Sequence, residues 1–335
     1  MWLSLWEPEV LPIEPEILRA FTKLRPDKLF KGLKPPLQES VPLKRRTTWR
    51  IGGAARWLAE PNSRGELARL WSELPEEIPR FLLGGGSNIL VEDTGFSGVA
   101  VDLTRRFNRI EQQPVEGEES QVRLIAEAGV KTSTLAHLAR RQGLTGAEFL
   151  GGIPGTLGGA MRMNAGANGG DIAAILSEAQ IVDREGNIQS LPVEKLGLAY
   201  RHSNLPPDAL FLSGTFILKR GEPEGIRDKM RRFNQHRSQS QPLDYASAGS
   251  TFKNPPQGPA AWKLIQEAGL RGSRIGDAQV SEKHCNFLIN RDQAKSDEML
   301  ALIHRVREKV AQKTGVDLEL EVAILGPEGL RPRGY

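Results

Sequence analysis

Cysteine occurs once in the 335 residues, at position 285, which excludes an intrachain disulfide framework and a cysteine-built zinc site. Histidine is scarce as well. His137, His202, His236, His284 and His304 stand apart without the spacing of metal ligands, so no metal site is expected. No run of about 18 apolar residues occurs, which excludes a transmembrane helix. The opening MWLSLWEPEVLPIEPE has acids and prolines where a signal peptide has basic and apolar residues, so the expectation is a soluble cytoplasmic protein. Charge is nearly balanced, with 45 Lys and Arg against 41 Asp and Glu and no basic stripe. The small excess suits an anionic small molecule at least as well as nucleic acid, and no nucleic-acid partner is expected. Neither the dinucleotide fingerprint of alternating glycines nor a Walker motif is present.

Glycine is abundant, at 35 residues, and the excess lies between positions 84 and 170. In RFLLGGGSNILV, Gly84, Gly85, Gly86, Ser87 and Asn88 interrupt two apolar runs. Such a turn reads either as a tight hairpin or as a loop whose unobstructed main-chain N–H groups bind an anion. A second segment, GGIPGTLGGAMRMNAGANGGD, has Gly151, Gly152, Ile153, Pro154, Gly155, Gly158 and Gly159, followed by Asn164 and Gly166. Two such loops together can grip a pyrophosphate from both sides, with Asn164 and Gly166 offering an amide and close main-chain approach to a flat ring.

Residues 1 to about 40 are rich in Pro, Trp and charge, with a short helical run near Ile17 to Leu24, and read as an arm or packed extension. Ser63 and Glu66 form a capping box ahead of a helix. QVRLIAEAGV (121–130) alternates as a strand, and Thr132 or Ser133 caps a helix that Gly143 closes. AQIVDREGNIQSL is a hairpin and FLSGTFILK a strand. A charged helix runs from Glu224 to Arg237, and AAWKLIQEAGL and SDEMLALIHRVREKV follow with helical spacing. VDLELEVAIL alternates, with Val316, Leu318, Leu320, Val322 and Ile324 on one face and Asp317, Glu319 and Glu321 on the other. The pattern predicts an α+β protein with two glycine-rich subdomains and a C-terminal domain.

Polar residues cluster in YRHS (200–203), AGS (248–250), KNP (253–255) and around Glu321. Each also has a structural explanation: Arg201 as a surface ion pair, Ser250 as a helix cap, Glu321 as a solvated strand residue.

The ordered motifs TTWRIGG, LGGGSN, GGIPGTLGGAMRMNAGA, YRHS, AGSTFKNP, VSEKHCNFLIN and LELEV resemble those of bacterial UDP-N-acetylenolpyruvoylglucosamine reductases over roughly residues 41–326. The resemblance implies a flavoenzyme of peptidoglycan synthesis that holds FAD non-covalently, takes hydride from NADPH and reduces a UDP-sugar enolpyruvyl ether. It also implies two FAD-binding subdomains of the vanillyl-alcohol-oxidase type, at 41–105 and 106–222. A substrate-binding domain at 223–330 and a monomeric state complete the expectation. By motif, Arg201, Ser250 and Glu321 fall on catalytic positions. Gly84 to Asn88, Gly152 to Gly155, Gly158, Gly159, Asn164, Gly166 and Arg237 fall on cofactor positions. Lys253, Asn254, Lys283 and His284 fall on the substrate side. The short interval between Arg201 and Ser250 places the chain in the shorter class, which lacks an inserted tyrosine-bearing segment. Asn168 and Ser240 stand where the family often has an aromatic and a lysine. An FAD-dependent oxidase of the same fold and a flavin-free binding protein are the rival readings.

Overall fold

A computed structural model describes residues 37–331. The helical run expected near Ile17 lies outside the described residues, as does most of the N-terminal arm.

The first unit contains β1 (Gln38–Pro42), β2 (Ala54–Ala59), helix α1 (Arg64–Glu73), β3 (Arg80–Leu83), β4 (Ile89–Val91) and β5 (Phe96–Asp102). Its sheet runs β1-β2-β5-β3, with β2 and β3 parallel to β5 and β1 antiparallel at the edge. Ser63 caps α1 by accepting the Glu66 N–H. The Glu66 carboxylate reaches the N–H of Asn62 (2.8 Å), not that of Ser63, so only half of the expected box forms. β4 leaves this sheet altogether. The hairpin reading of the first glycine turn is thereby excluded, because β3 and β4 flank the turn yet pair with different partners.

The second unit runs β6 (Ile110–Pro114), β7 (Gln121–Glu127), α2 (Thr132–Arg141), β8 (Leu144–Thr145), α3 (Leu157–Arg162), β9 (Gly166–Ala167), β10 (Gly170–Asp171), β11 (Leu176–Val182), β12 (Ile188–Pro192), β13 (Leu210–Arg220) and α4 (Pro223–Ser240). An antiparallel sheet of order β12-β11-β13-β7-β6, with β8 beside β13, packs its apolar face under α2 and α3. The expected cap of α2 does not form. Lys131 is the N-cap residue, and Thr132 turns its hydroxyl to the Ile153 carbonyl. Helix α4 was expected to open the C-terminal domain. It buries Met230 in this second core, and the buried Glu148 accepts an ion pair from Lys229 (3.3 Å).

The third unit adds β14 (Ala246–Ser247), α5 (Ala261–Glu267), β15 (Arg274–Ile275), β16 (Ala278–Val280), β17 (Leu288–Asn290), α6 (Ser296–Thr314), β18 (Ala323–Gly326) and β19 (Gly329–Leu330). A small sheet, β14-β17-β16-β15, packs against α5 and α6. The expected strand from Val316 begins only at Ala323; before it, Leu320 makes a single bridge to Phe252. Leu318, Leu320, Val322 and Ile324 are nevertheless buried, as the alternation requires, while Val316, just after α6, is only half-buried.

The units are interlocked. β18 pairs in parallel with β4 of the first unit, and Trp49, Ile51 and Leu90 sit in the third core. Trp49 is fully buried, donates its indole N–H to Leu288 O (2.8 Å) and accepts at its own carbonyl from Asn290 Nδ2 (2.9 Å). Asp93 and Ser296 exchange bonds at the start of α6 in the same way (2.7 and 2.9 Å).

Candidate active site

The two glycine loops meet. A Cβ placed on Gly85 would lie 2.5 Å from Gly155 Cα, and one on Gly155 would lie 2.7 Å from Ser87 Oγ. Glycine is needed at both because the main chains touch. Ser87 Oγ donates to Pro154 O (3.0 Å), tying one loop to the other. Thr132 N–H donates to Gly155 O (3.2 Å) and anchors the second loop at the start of α2. Among the described residues, the main-chain N–H groups of Gly84, Gly85, Gly86, Ser87 and Asn88 donate to no protein acceptor. Five free donors beside a second glycine loop fit a diphosphate, which offers acceptor oxygens on all sides. Gly152, Ile153 and Pro154 lead into the contact, while Gly158 and Gly159 lie in α3 behind it. Gly158 N–H is bound to Ala128 O (2.8 Å), so it serves packing. Arg237 Cδ lies close enough to stand 3.6 Å from a Cβ on Gly152, and burial holds this guanidinium below the usual arginine range. The residues present therefore fit a dinucleotide held at its diphosphate.

Arg201 and Glu321 are drawn from different units into one ion pair, in which Arg201 Nε donates to Glu321 Oε1. Arg201 sits at the tip of a two-residue turn closed by reciprocal bonds between Ala199 and His202 (3.1 Å each). Its φ of +55° is left-handed, a conformation costing a side-chain-bearing residue about 1 kcal/mol. The turn nevertheless aims the guanidinium, which also reaches Gly166 O (3.4 Å) and lies under the Tyr200 ring, 5.0 Å from its centroid. Glu321 is held by its main chain. Its N–H donates to Thr251 O (2.9 Å), and its carbonyl accepts from Asn88 Nδ2 (3.0 Å). Burial pushes its carboxyl above the ordinary value, outweighing the opposing pull of Arg201 and Lys253. Ser250 directly precedes Thr251, follows Gly249 at φ +77°, and its hydroxyl bonds to no other described residue. It is not a cap. The surface-pair and solvated-strand explanations of Arg201 and Glu321 fail as well, because both side chains are largely buried.

The expected substrate-side residues line the third unit. Lys253 pairs with Glu319 and donates its N–H to Glu319 O (2.8 Å). Asn254 N–H reaches Tyr200 Oη (3.4 Å), and Asn254 Oδ1 accepts from Ala261 N at the start of α5 (3.0 Å). Lys283 Nζ donates to Ser238 O in the last turn of α4 (2.6 Å), so it bridges two units. His284 packs edge-on against Phe287 (4.8 Å), and burial lowers its pKa. Asn164 differs from expectation. Its side chain is buried, accepts from Ala173 N (2.9 Å) and donates to Ala199 O (3.2 Å), so it braces the Arg201 turn and offers no amide outward. Gly166 contributes the carbonyl that Arg201 reaches. Asn168 and Gly169, at φ +53° and +83°, make the tight turn between β9 and β10. Ser240 Oγ bonds back to His236 O (2.7 Å) within α4.

Comparison with known proteins agrees with this arrangement. The C-terminal domain of UDP-N-acetylenolpyruvoylglucosamine reductase matches residues 241–325, and an FAD binding domain matches residues 55–192, which contain both glycine loops. The UDP-N-acetylenolpyruvoylglucosamine reductase of Magnetococcus marinus is 52% identical over 295 residues, 88% of this chain and 93% of that protein. The chain belongs to the UDP-N-acetylenolpyruvoylglucosamine reductase family. The reductase of Gluconobacter oxydans is 44% identical over 299 residues, covering 88% of this chain and 94% of its own length. The crystal structure of the Thermus caldophilus reductase superposes with a TM-score of 0.74 at 36% identity, over 86% of this chain and 99% of that one. No described helix is long and apolar enough to cross a membrane. Within this family frame, sequence reasoning missed Tyr200 as a link to Asn254 and missed Thr48 beside the first loop. TTWRIGG was visible as a motif, but its contact with Gly86 was not.

Proposed function

We propose that the chain is an FAD-containing oxidoreductase that reduces the enolpyruvyl ether of UDP-N-acetylglucosamine to UDP-N-acetylmuramate with NADPH, a cytoplasmic step of peptidoglycan precursor synthesis. The observation that carries this reading is the meeting of Arg201 and Glu321 beside two touching glycine loops. FAD, when bound, supplies the hydride carrier between NADPH and the substrate.

The residues of the chain do the rest. Hydride arriving at the terminal carbon of the enolpyruvyl group leaves negative charge on the adjacent carbon and its carboxylate. Arg201 is permanently cationic and planar, and its Nε is already committed to Glu321, which fixes the plane in which its outer N–H groups meet the carboxylate. A preorganised donor of this kind contributes about 3 kcal/mol to a transition state. The Ser250 hydroxyl, bonded to no other described residue, delivers the proton to the carbanion carbon. Glu321 holds Arg201 in place, and burial raises its carboxyl above the ordinary value. Lys253, Asn254, Lys283 and His284 face the nucleotide.

The test is direct. Purified protein should be yellow and should release FAD to the supernatant on acid precipitation. NADPH oxidation should depend on the enolpyruvyl nucleotide. Rapid NADPH oxidation with oxygen alone would favour an oxidase, and flavin left in the pellet would indicate a covalent link.

A further inference from the structure

TTWRIGG has no assigned chemistry, yet it lies against the first glycine loop. Thr48 contributes two donors to one acceptor, since its N–H (2.9 Å) and its Oγ (3.3 Å) both meet Gly86 O. Gly86 itself is left-handed at φ +59°, and a Cβ on it would collide with the Arg46 carbonyl, so the loop is pressed onto this segment.

A trans peptide unit is planar, and its C=O and the following N–H point in opposite directions. Pinning Gly86 O on Thr48 therefore turns the N–H of Ser87 away from Thr48. Ser87 is tied to the second loop as well, since its Oγ donates to Pro154 O (3.0 Å). Thr48 is itself fixed because its neighbour Trp49 is locked by its bonds with Leu288 and Asn290.

We propose that Thr48 is a positioning residue of the cofactor site, which aims the Ser87 amide at the diphosphate of the dinucleotide without touching it. The inference rests on the FAD reading above. It differs from that reading in consequence, because the variant should still bind FAD, only less tightly.

The test uses full-length protein stripped of FAD, Thr48→Val and Thr48→Ser variants, FAD titration by fluorescence, and thermal unfolding of the apoprotein. Valine keeps the shape and the main-chain bond but removes the hydroxyl; serine keeps the hydroxyl. Thr48→Val should weaken FAD binding about three- to tenfold, the worth of one hydrogen bond. The apoprotein midpoint should stay within about a degree of wild type, a shift well below that of a 1 kcal/mol change. Thr48→Ser should restore wild-type affinity. Unchanged FAD affinity in Thr48→Val would overturn the proposal. So would equal weakening in the serine variant, or an apoprotein destabilised in step with the lost affinity, since each would make Thr48 a packing residue only. Wild-type protein that binds no FAD would instead remove the functional reading itself.

Discussion

Asn88 donates its side-chain amide to the carbonyl of Glu321 at 3.0 Å, and the Asn88 carbonyl in turn accepts the N–H of Ala323. The last residue of the first glycine loop and the buried carboxylate therefore share one scaffold. A shift in the loop moves Glu321, and with it the Arg201 guanidinium that Glu321 holds. Cofactor placement and carboxylate recognition are set together.

Loop contact gives the first prediction. Gly85→Ala puts a methyl 2.5 Å from Gly155 Cα, in main chain that cannot step aside without parting the loops. FAD affinity should fall at least tenfold, of the order expected when about 1.4 kcal/mol is lost. Far-ultraviolet circular dichroism of the apoprotein should be unchanged. Retention of FAD at wild-type affinity would show that the two loops need not touch.

Ser250 separates two half-reactions. Bleaching of the flavin band by NADPH needs no proton on a substrate carbon, so Ser250→Ala should leave it intact. Recovery of the band on adding the enolpyruvyl nucleotide should slow by about 10² to 10⁴, the range of general acid catalysis. Stopped-flow absorbance follows both. Equal slowing of the two would make Ser250 structural.

Glu321 gives a pH dependence of stability. Its folded pKa is raised, so its contribution is fully present below the unfolded value and is lost as pH rises through the folded value. Glu321→Gln cannot ionise and accepts the same Arg201 bond. The variant should gain thermal stability relative to wild type as pH rises above about 4. A relative loss over that range would mean that Arg201 outweighs burial.

Glu148 has the opposite sign. Burial raises its pKa, but bonds from Thr145 (2.6 Å) and Gly146 N (2.8 Å), with Lys229 beside them, win and leave it below its ordinary value. Its contribution is present above the unfolded value and is lost as pH falls through the folded one. Glu148→Gln should cost about 1–3 kcal/mol near neutral pH. Denaturant titrations should show that deficit closing below about pH 4.

Lys283 tests the substrate side. Its ammonium now rests on Ser238 O, a position from which a nucleotide phosphate would compete for it. Lys283→Ala should raise the KM for the enolpyruvyl nucleotide about tenfold while kcat changes less, the pattern of lost uniform binding. A collapsed kcat at constant KM would place Lys283 nearer the reacting atoms.

What the sequence made legible were features written in neighbouring residues. Gly143, at φ +66°, closes α2, and Gly315, at φ +73°, closes α6, because only glycine enters that conformation cheaply. The buried face of 318–324 followed from alternation alone. The failures came from partners distant in the chain. Asn164 reads as an exposed amide until Ala199 and Ala173 are seen to occupy it. Thr132 reads as a cap until Ile153 takes its hydroxyl. The two glycine loops could be paired by chemistry, but their contact through Gly85 and Gly155 is a tertiary fact. The residues around Arg201 and Glu321 gave no sign that the two meet; only the family resemblance put both at one centre.

The pairing of β4 with β18 bears on how the chain comes to be folded. Ile89, Leu90 and Val91 emerge well before their strand partner, Ala323 to Leu325, which lies more than two hundred residues downstream. On the ribosome an unpaired apolar strand must wait while the second unit forms a core of its own. Such long-range closure is slow. Until it occurs, Asn88 lacks Glu321 and the first loop lacks one of its walls. FAD capture should thus be a late event in biogenesis, following synthesis and docking of the strand at Ala323 to Leu325.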